Sequence, residues 1–213
     1  MLSLLVPKLE ERLRQPLPGA LAHDVMRATP VGPIVPDFRH KTQPRPGAVL
    51  IALYEKDNVI HFPLIKRPQY LGTHSNQVSL PGGKAEPGED AITTALREGE
   101  EEIGVQKSEV NIIGRLSDFF VIPSNFLVTP IVVACNDIPR FNPDPREVER
   151  IISADLFALL KQDSIRNKEI LAGGQYRMLA PHFEIEGEVV WGATAMMVNE
   201  LCHVLREIVL TDK

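Results

Sequence analysis

The stretch that most constrains this chain runs from Ser79 to Val105, SLPGGKAEPGEDAITTALREGEEEIGV. A proline and two glycines open it, which turns the backbone sharply before any regular element can begin. A helix follows over about residues 88–103, with Ile92, Ala95, Leu96, Gly99 and Ile103 on one side of a helical wheel. Four glutamates, Glu98, Glu100, Glu101 and Glu102, fall within five positions of its last turns. Glu98, Glu101 and Glu102 share an arc of about 100° beside the apolar face. Acidic pairs at this spacing repel and cost the helix stability.

An acidic run is ordinarily a solvated face. Here only Arg97 lies close enough along the helix to balance it, and the glycine turn puts bare backbone just ahead of it. Carboxylates and carbonyl oxygens are hard ligands suited to Mg²⁺ or Mn²⁺. Such a cation would remove the repulsion and neutralise a polyphosphate substrate. That need is real for this chain, whose formal net charge is −5. No basic face points to nucleic acid or to an anionic membrane, so neither is expected as a partner.

Gly83, five residues, Glu89, seven residues, then Arg97-Glu98-x-x-Glu101-Glu102-x-Gly104-Val105 resembles the signature box of the Nudix family. Gly99 departs from it, standing where a bulky aliphatic residue is usual. The resemblance implies a Nudix fold, an α/β/α sandwich with a mixed β-sheet. It implies hydrolysis of a nucleoside diphosphate linked to another moiety, with Mg²⁺ or Mn²⁺ as cofactor. By the same resemblance Glu98, Glu101 and Glu102 bind metal, with the Gly83 carbonyl as a further ligand. Arg97 orients the glutamates and Glu89 supports them. The implied chemistry is attack of a metal-activated water on a pyrophosphate phosphorus. Two residues compete as general base: Glu101 and, from the later EVER segment, Glu147.

The flanks bear on the substrate. LIKRPQYLGTHSNQVSLPGG (64–83), PSNFLVTPIV (123–132) and VVWGATAMMV (189–198) resemble elements of the coenzyme A diphosphohydrolase branch of that family. Arg67 or Lys66, His74 and Gln77 are the substrate-contact candidates in the first of these. Gly72 and Asn76 stand where that branch has an arginine and a loop glycine, and Leu80 replaces its phenylalanine. Three functions remain open: a coenzyme A or acyl-coenzyme A diphosphatase, a hydrolase of another nucleotide such as ADP-ribose, a dinucleotide or a nucleoside triphosphate, and a catalytically silent nucleotide sensor. Trp191 is expected to pack the last helix rather than stack on a base.

The rest of the chain supplies the frame. Leu2, Leu5, Leu9 and Leu13 recur at helical spacing, and a second short pattern covers Ala20–Met26. Five prolines in residues 29–47 mark an extended connector. This divides the chain into an N-terminal helical extension and connector, 1–46, and a catalytic domain, 47–213. The extension has three readings: a cap on the sheet, a dimer contact or a cover for the substrate. Apolar runs at 48–54 and 59–65 read as a hairpin, with further strands at 110–116 and 126–135. A loop at 136–147 leads to a strand at 147–155 and a short helix at 155–162. Short β pieces fill 165–191, and an amphipathic helix at 194–210 closes the chain. Cys135 and Cys202, the only cysteines, sit in apolar runs and read as buried free thiols. With no signal-like N-terminus and no long apolar span, a cytoplasmic protein is expected.

Overall fold

The computed structural model describes the chain apart from residues 33, 35, 36, 38, 70–75 and 212–213, and its side chains through residue 209. In chain order the helices are α1 (Leu2–Leu13), α2 (Ala20–His23), α3 (Ala91–Ile103) and α4 (Gly192–Thr211). The strands are β1 (Thr29–Pro30), β2 (Arg45–Lys56), β3 (Val59–Lys66), β4 (Val78–Ser79), β5 (Gly82–Lys84), β6 (Val110–Arg115), β7 (Phe119–Val121), β8 (Phe126–Cys135), β9 (Arg150–Asp155), β10 (Ile165–Ala172), β11 (Tyr176–Ile185) and β12 (Glu188–Trp191).

Eight strands form one sheet in the order β4-β3-β2-β8-β6, with β5 on β2, β7 on β8 and β9 on β3. β2 and β8 run parallel and the other pairs antiparallel, so the sheet is mixed. Strand alternation divides its core. Ala48, Leu50 and Ala52 of β2 pack with Ala95, Leu96 and Ile103 of α3 on one face. Ile51 and Leu53 join α1 and α4 on the other. The α/β/α layering expected from the sequence is therefore present. Leu2, Leu5, Leu9 and Leu13 of α1 are buried in that second layer, Leu9 completely, against β6 and α4.

Two regions differ from the sequence expectation. Residues 165–191 make not short pieces but a long β10–β11 hairpin, which with β1 and β12 forms a separate four-stranded sheet. The hairpin turns at Gly173 and Gly174, both at positive φ. Its first strand is mostly exposed, so it lacks the apolar alternation that marks a strand in sequence. The helix expected at 155–162 is a single 3-10 turn, Ala158–Leu160, begun by Asp155, whose carboxylate accepts the Ala158 N–H at 3.0 Å.

Gly99 has a clear reason. A Cβ built there would lie well inside van der Waals distance of Leu50 Cδ2, and Leu50 is fully buried. The helix thus sits closer to the sheet than an aliphatic side chain at this position would allow. Gly99→Ala is expected to gain about 1 kcal/mol of helix preference. It should lose more, about 1–3 kcal/mol, to overpacking. Denaturant unfolding of Gly99→Ala, Leu50→Ala and the double variant would check this. The alanine should cost stability alone and recover part of the loss when Leu50 is shortened.

Candidate active site

The site is assembled where α3 crosses the β4–β5 turn. Gly82 adopts φ +152° with its Cα pressed on the β2 backbone, leaving no room for a side chain. A Cβ on Gly83 would fall 2.5–2.6 Å from the carboxylate of Glu98. The glycine pair therefore lets two strands and one helical carboxylate meet.

Both ends of α3 are fixed. Asp90 caps the start, accepting the Thr93 N–H at 2.7 Å. At the other end Gly104 is left-handed (φ +77°), and its N–H and that of Val105 return to the carbonyls of Glu100 and Gly99. The following loop adds two bonds that sequence reading missed: Asn142 N–H to the Ile103 carbonyl at 2.9 Å and Asp144 N–H to the Glu102 carbonyl at 3.0 Å. Nothing in the loop's composition announces them, since both are backbone donors. They bring Glu147, whose N–H bonds the Asp144 carbonyl, to the end of the acidic helix.

Arg97 sits at the centre of the charge. Its Nε and one terminal nitrogen grip both oxygens of Glu89 at 2.8 and 3.1 Å. The other terminal nitrogen is shared between Glu98 (2.9 Å) and Glu101 (3.0 Å). The Arg97 guanidinium, with the Glu86 N–H and the Thr94 hydroxyl, holds the Glu89 carboxyl down at about 2. The fork geometry suits a residue that fixes neighbouring carboxylates in place.

Glu102 is 2% exposed. One oxygen accepts the Gly82 N–H at 2.8 Å and the other faces Arg67 at 3.3 Å. Burial nevertheless raises its carboxyl to about 7 against these two, with the charges of Glu98 and Glu147 adding to the rise. Glu98 is also raised, first by burial and then by Glu101 and Glu147, while Arg97 opposes. Glu147 itself is exposed. The structure thus gathers Glu98, Glu101, Glu102, Gly83, Arg97 and Glu147 in one place.

Among the substrate-contact candidates, Arg67 points at Glu102, the Ser79 hydroxyl (3.3 Å) and the Gly82 carbonyl (3.5 Å). Lys66 is bound to Glu188 of β12 at 2.7 Å. Gln77 meets Arg67 through the backbone, accepting its N–H at 3.0 Å. His74 and Gly72 lie outside the described residues. Trp191 is half-buried, opposite His182 across the β11–β12 pair and directly before α4.

A divalent cation fits the donor chemistry. The carboxylates are oxygen ligands, two of them are buried enough to resist ionising together, and Glu98 occupies the cradle left by Gly83. Glu98 and Glu101 are drawn onto Arg97 and Glu102 onto Arg67, and among the described residues no three such side chains already converge on one point.

Comparison with known proteins bears on the family and the fold. A protein-family model described as NUDIX domain matches residues 44–173. "Nudix hydrolase 15, mitochondrial" of Arabidopsis thaliana is 37% identical over 174 residues, 78% of this chain and 60% of that one. "Nudix hydrolase 22, chloroplastic" of the same plant is 39% identical, covering 73% of this chain and 54% of its own length. The chain thus spans less than two thirds of these plant relatives. "Uncharacterized Nudix hydrolase NudL" of Yersinia enterocolitica is 31% identical over 194 residues, 90% of this chain and 88% of that one. Among solved structures, a Nudix hydrolase from M. smegmatis, RenU, superposes with a TM-score of 0.52 at 12% identity, covering 81% of this chain and 89% of the other. At that identity the likeness concerns the fold alone. No described helix is long and apolar enough to cross a membrane.

Proposed function

The chain belongs to the Nudix hydrolase family, and from that premise we propose that it cleaves the pyrophosphate bond of coenzyme A or acyl-coenzyme A, giving 3′,5′-ADP and 4′-phosphopantetheine. The observation that carries the hydrolytic part is the buried Glu98–Glu102 pair against Gly82 and Gly83, with Glu147 beside it. A protein has little reason to keep two mutually repelling carboxylates buried unless something positively charged binds there. The coenzyme A part is supported by the three flanking elements, 64–83, 123–132 and 189–198.

Glu98, Glu101, Glu102 and the Gly83 carbonyl would hold Mg²⁺ or Mn²⁺. When bound, the cation supplies Lewis acidity toward water and toward the oxygens of the pyrophosphate. The chain's own residues do the rest. Arg97, anchored on Glu89, keeps Glu98 and Glu101 from swinging into solvent. Glu147 or Glu101 takes the proton from the attacking water on a carboxylate oxygen. The water oxygen bonds to phosphorus as the P–O bridge breaks, and the electron pair leaves on the departing phosphate. Arg67, paired with Glu102, would be free to turn to a substrate phosphate if that carboxylate held a cation instead.

A second reading, another nucleoside diphosphate derivative, is favoured by one observation. Arg67, the cation nearest the upstream loop, already has a carboxylate partner, and Gly72 offers no charge to replace it. The buried thiols of Cys135 and Cys202, both pushed up to about 12 by burial, accord with a reducing compartment such as the cytoplasm.

The test is product analysis. The protein is incubated with Mg²⁺ or Mn²⁺ and, in parallel, coenzyme A, acetyl-coenzyme A, ADP-ribose, NADH and nucleoside triphosphates, with products read by mass detection. Release of 3′,5′-ADP and 4′-phosphopantetheine is expected. Faster cleavage of another nucleotide would replace coenzyme A with that substrate. Absence of cleavage throughout would contradict the hydrolase reading.

A further inference from the structure

Beside the glycine turn lies a surface that the hydrolytic reading leaves unused. Phe126, the first residue of β8, is half-buried and packs on the larger core cluster. The guanidinium of Arg45, the first residue of β2, lies over its ring, 4.1 Å from the centroid. Arg45 is exposed. It is nonetheless pinned: one terminal nitrogen donates to the Ser124 carbonyl at 2.8 Å, and its backbone N–H to the Asn125 carbonyl at 2.9 Å.

This surface is continuous with the candidate active site through Gly47. A Cβ on Gly47 would stand 2.7 Å from the Gly83 carbonyl oxygen and 3.3 Å from Phe126 Cδ1. Gly83 also meets Glu98, against whose carboxylate a Cβ there would fall. Phe126, Gly47, Gly83 and Glu98 are therefore successive neighbours, and the bare Gly47 keeps the path between ring and carbonyl open.

We propose that Arg45 and Phe126 form a stacking platform for the nucleobase of the substrate. The inference rests on the reading of the site as one for nucleoside diphosphate derivatives. The partners Arg45 already holds decide between base and phosphate. A guanidinium binds phosphate through its fork of N–H donors, edge on. Arg45 sits over the Phe126 ring with one end of its fork committed to Ser124, so it offers a ligand a weakly hydrated planar group backed by an aromatic ring. Bases stack on such faces and on the aromatic rings behind them, largely independent of base identity.

The experiment is equilibrium binding of 1,N6-etheno-AMP, a fluorescent nucleotide with no pyrophosphate to cleave, to the full chain with Mg²⁺. Inorganic pyrophosphate serves as the probe without a base. Stacking should quench the wild-type signal. Arg45→Gln and Arg45→Lys should each weaken etheno-AMP binding roughly tenfold and reduce the quench. Pyrophosphate binding should stay within about twofold. Phe126→Leu gives an independent variant with the same expected loss. Full affinity in Arg45→Lys, or equal loss for pyrophosphate, would mean a point charge on phosphate and overturn the platform. If the wild type hydrolyses a nucleotide but its etheno-AMP affinity ignores Arg45 and Phe126, the platform alone falls. If it neither binds nor hydrolyses any nucleotide, the functional reading falls first.

Discussion

Replacing Glu102 by glutamine is expected to lower turnover by roughly a thousandfold, and at the same time to raise the melting temperature of the metal-free protein. The two effects share one cause. Glu102 is buried with a carboxyl raised to about 7 from an ordinary 4.5. The direction is opposite to that of a stabilising ion pair. A raised carboxyl favours the folded state while protonated and costs it stability as pH rises from the unfolded value through about 7. Above that window ionised Glu102 costs on the order of 3 kcal/mol. Glutamine keeps an oxygen for the Gly82 N–H and removes the buried charge. At pH 8 and without metal the variant should therefore melt higher than the wild type, and the gap should close near pH 5. Saturating Mg²⁺ should stabilise the wild type by mass action and leave the variant nearly unmoved. Glu98→Gln should share the loss of turnover. A Glu102→Gln enzyme with wild-type rates would remove Glu102 from the mechanism.

The largest effect on stability should come from a residue with no part in the chemistry. Glu200 of α4 is fully buried. It accepts hydrogen bonds from the Gly19 N–H (3.0 Å), the Ser117 hydroxyl (2.6 Å) and the Ser117 N–H (3.2 Å), and pairs with His23 Nε2 at 2.9 Å. These contacts, with the bond from the Asn199 amide to the Ala22 carbonyl at 2.7 Å, tie the N-terminal helices to α4. Glu200→Ala would leave several buried donors unpaired and is expected to cost about 3–5 kcal/mol. Burial pushes the Glu200 carboxyl up, but the hydrogen bonds from His23 and Ser117 outweigh it and leave it below the ordinary value. A depressed carboxyl contributes stability that is fully present above its unfolded pKa and is lost as pH falls through the folded one. Wild-type stability should therefore fall in the acid range below about pH 4.3, and this step should shrink in Glu200→Gln. Limited trypsin cleavage near Arg12 and Arg14 would report whether α1 and α2 detach first.

Much of this was legible in the residues. The 3.6-residue pattern of α1 and α3 and the apolar runs of β2, β3 and β8 are strong periodic signals, and those elements appear where the sequence places them. The acidic arc of α3 was readable because side chains on one helix have fixed relative positions. What the sequence withheld depends on distant parts meeting. The Arg67–Glu102 pair spans 35 residues and the Glu200–His23 pair 177. Glu200 reads as one charge in an amphipathic helix, and only the docking of α2 makes it a hub. The β10–β11 hairpin was obscured because its exposed residues follow no period. Gly99 was visible as a departure, but its reason needed Leu50 on the neighbouring strand.

The central claim, that the acidic face of α3 is a divalent-cation site, is tested most directly by titrating Mn²⁺ into the metal-free protein in a calorimeter. Glu98→Gln and the Glu98→Gln/Glu102→Gln double variant would be titrated alongside. At pH 7 the wild type should bind with proton release, seen as a heat that changes with the ionisation enthalpy of the buffer, because Glu102 is part-protonated there. Glu98→Gln should bind much more weakly, and the double variant should show neither the binding nor the buffer-dependent heat. Equal Mn²⁺ binding by wild type and double variant, or none by the wild type, would contradict the account.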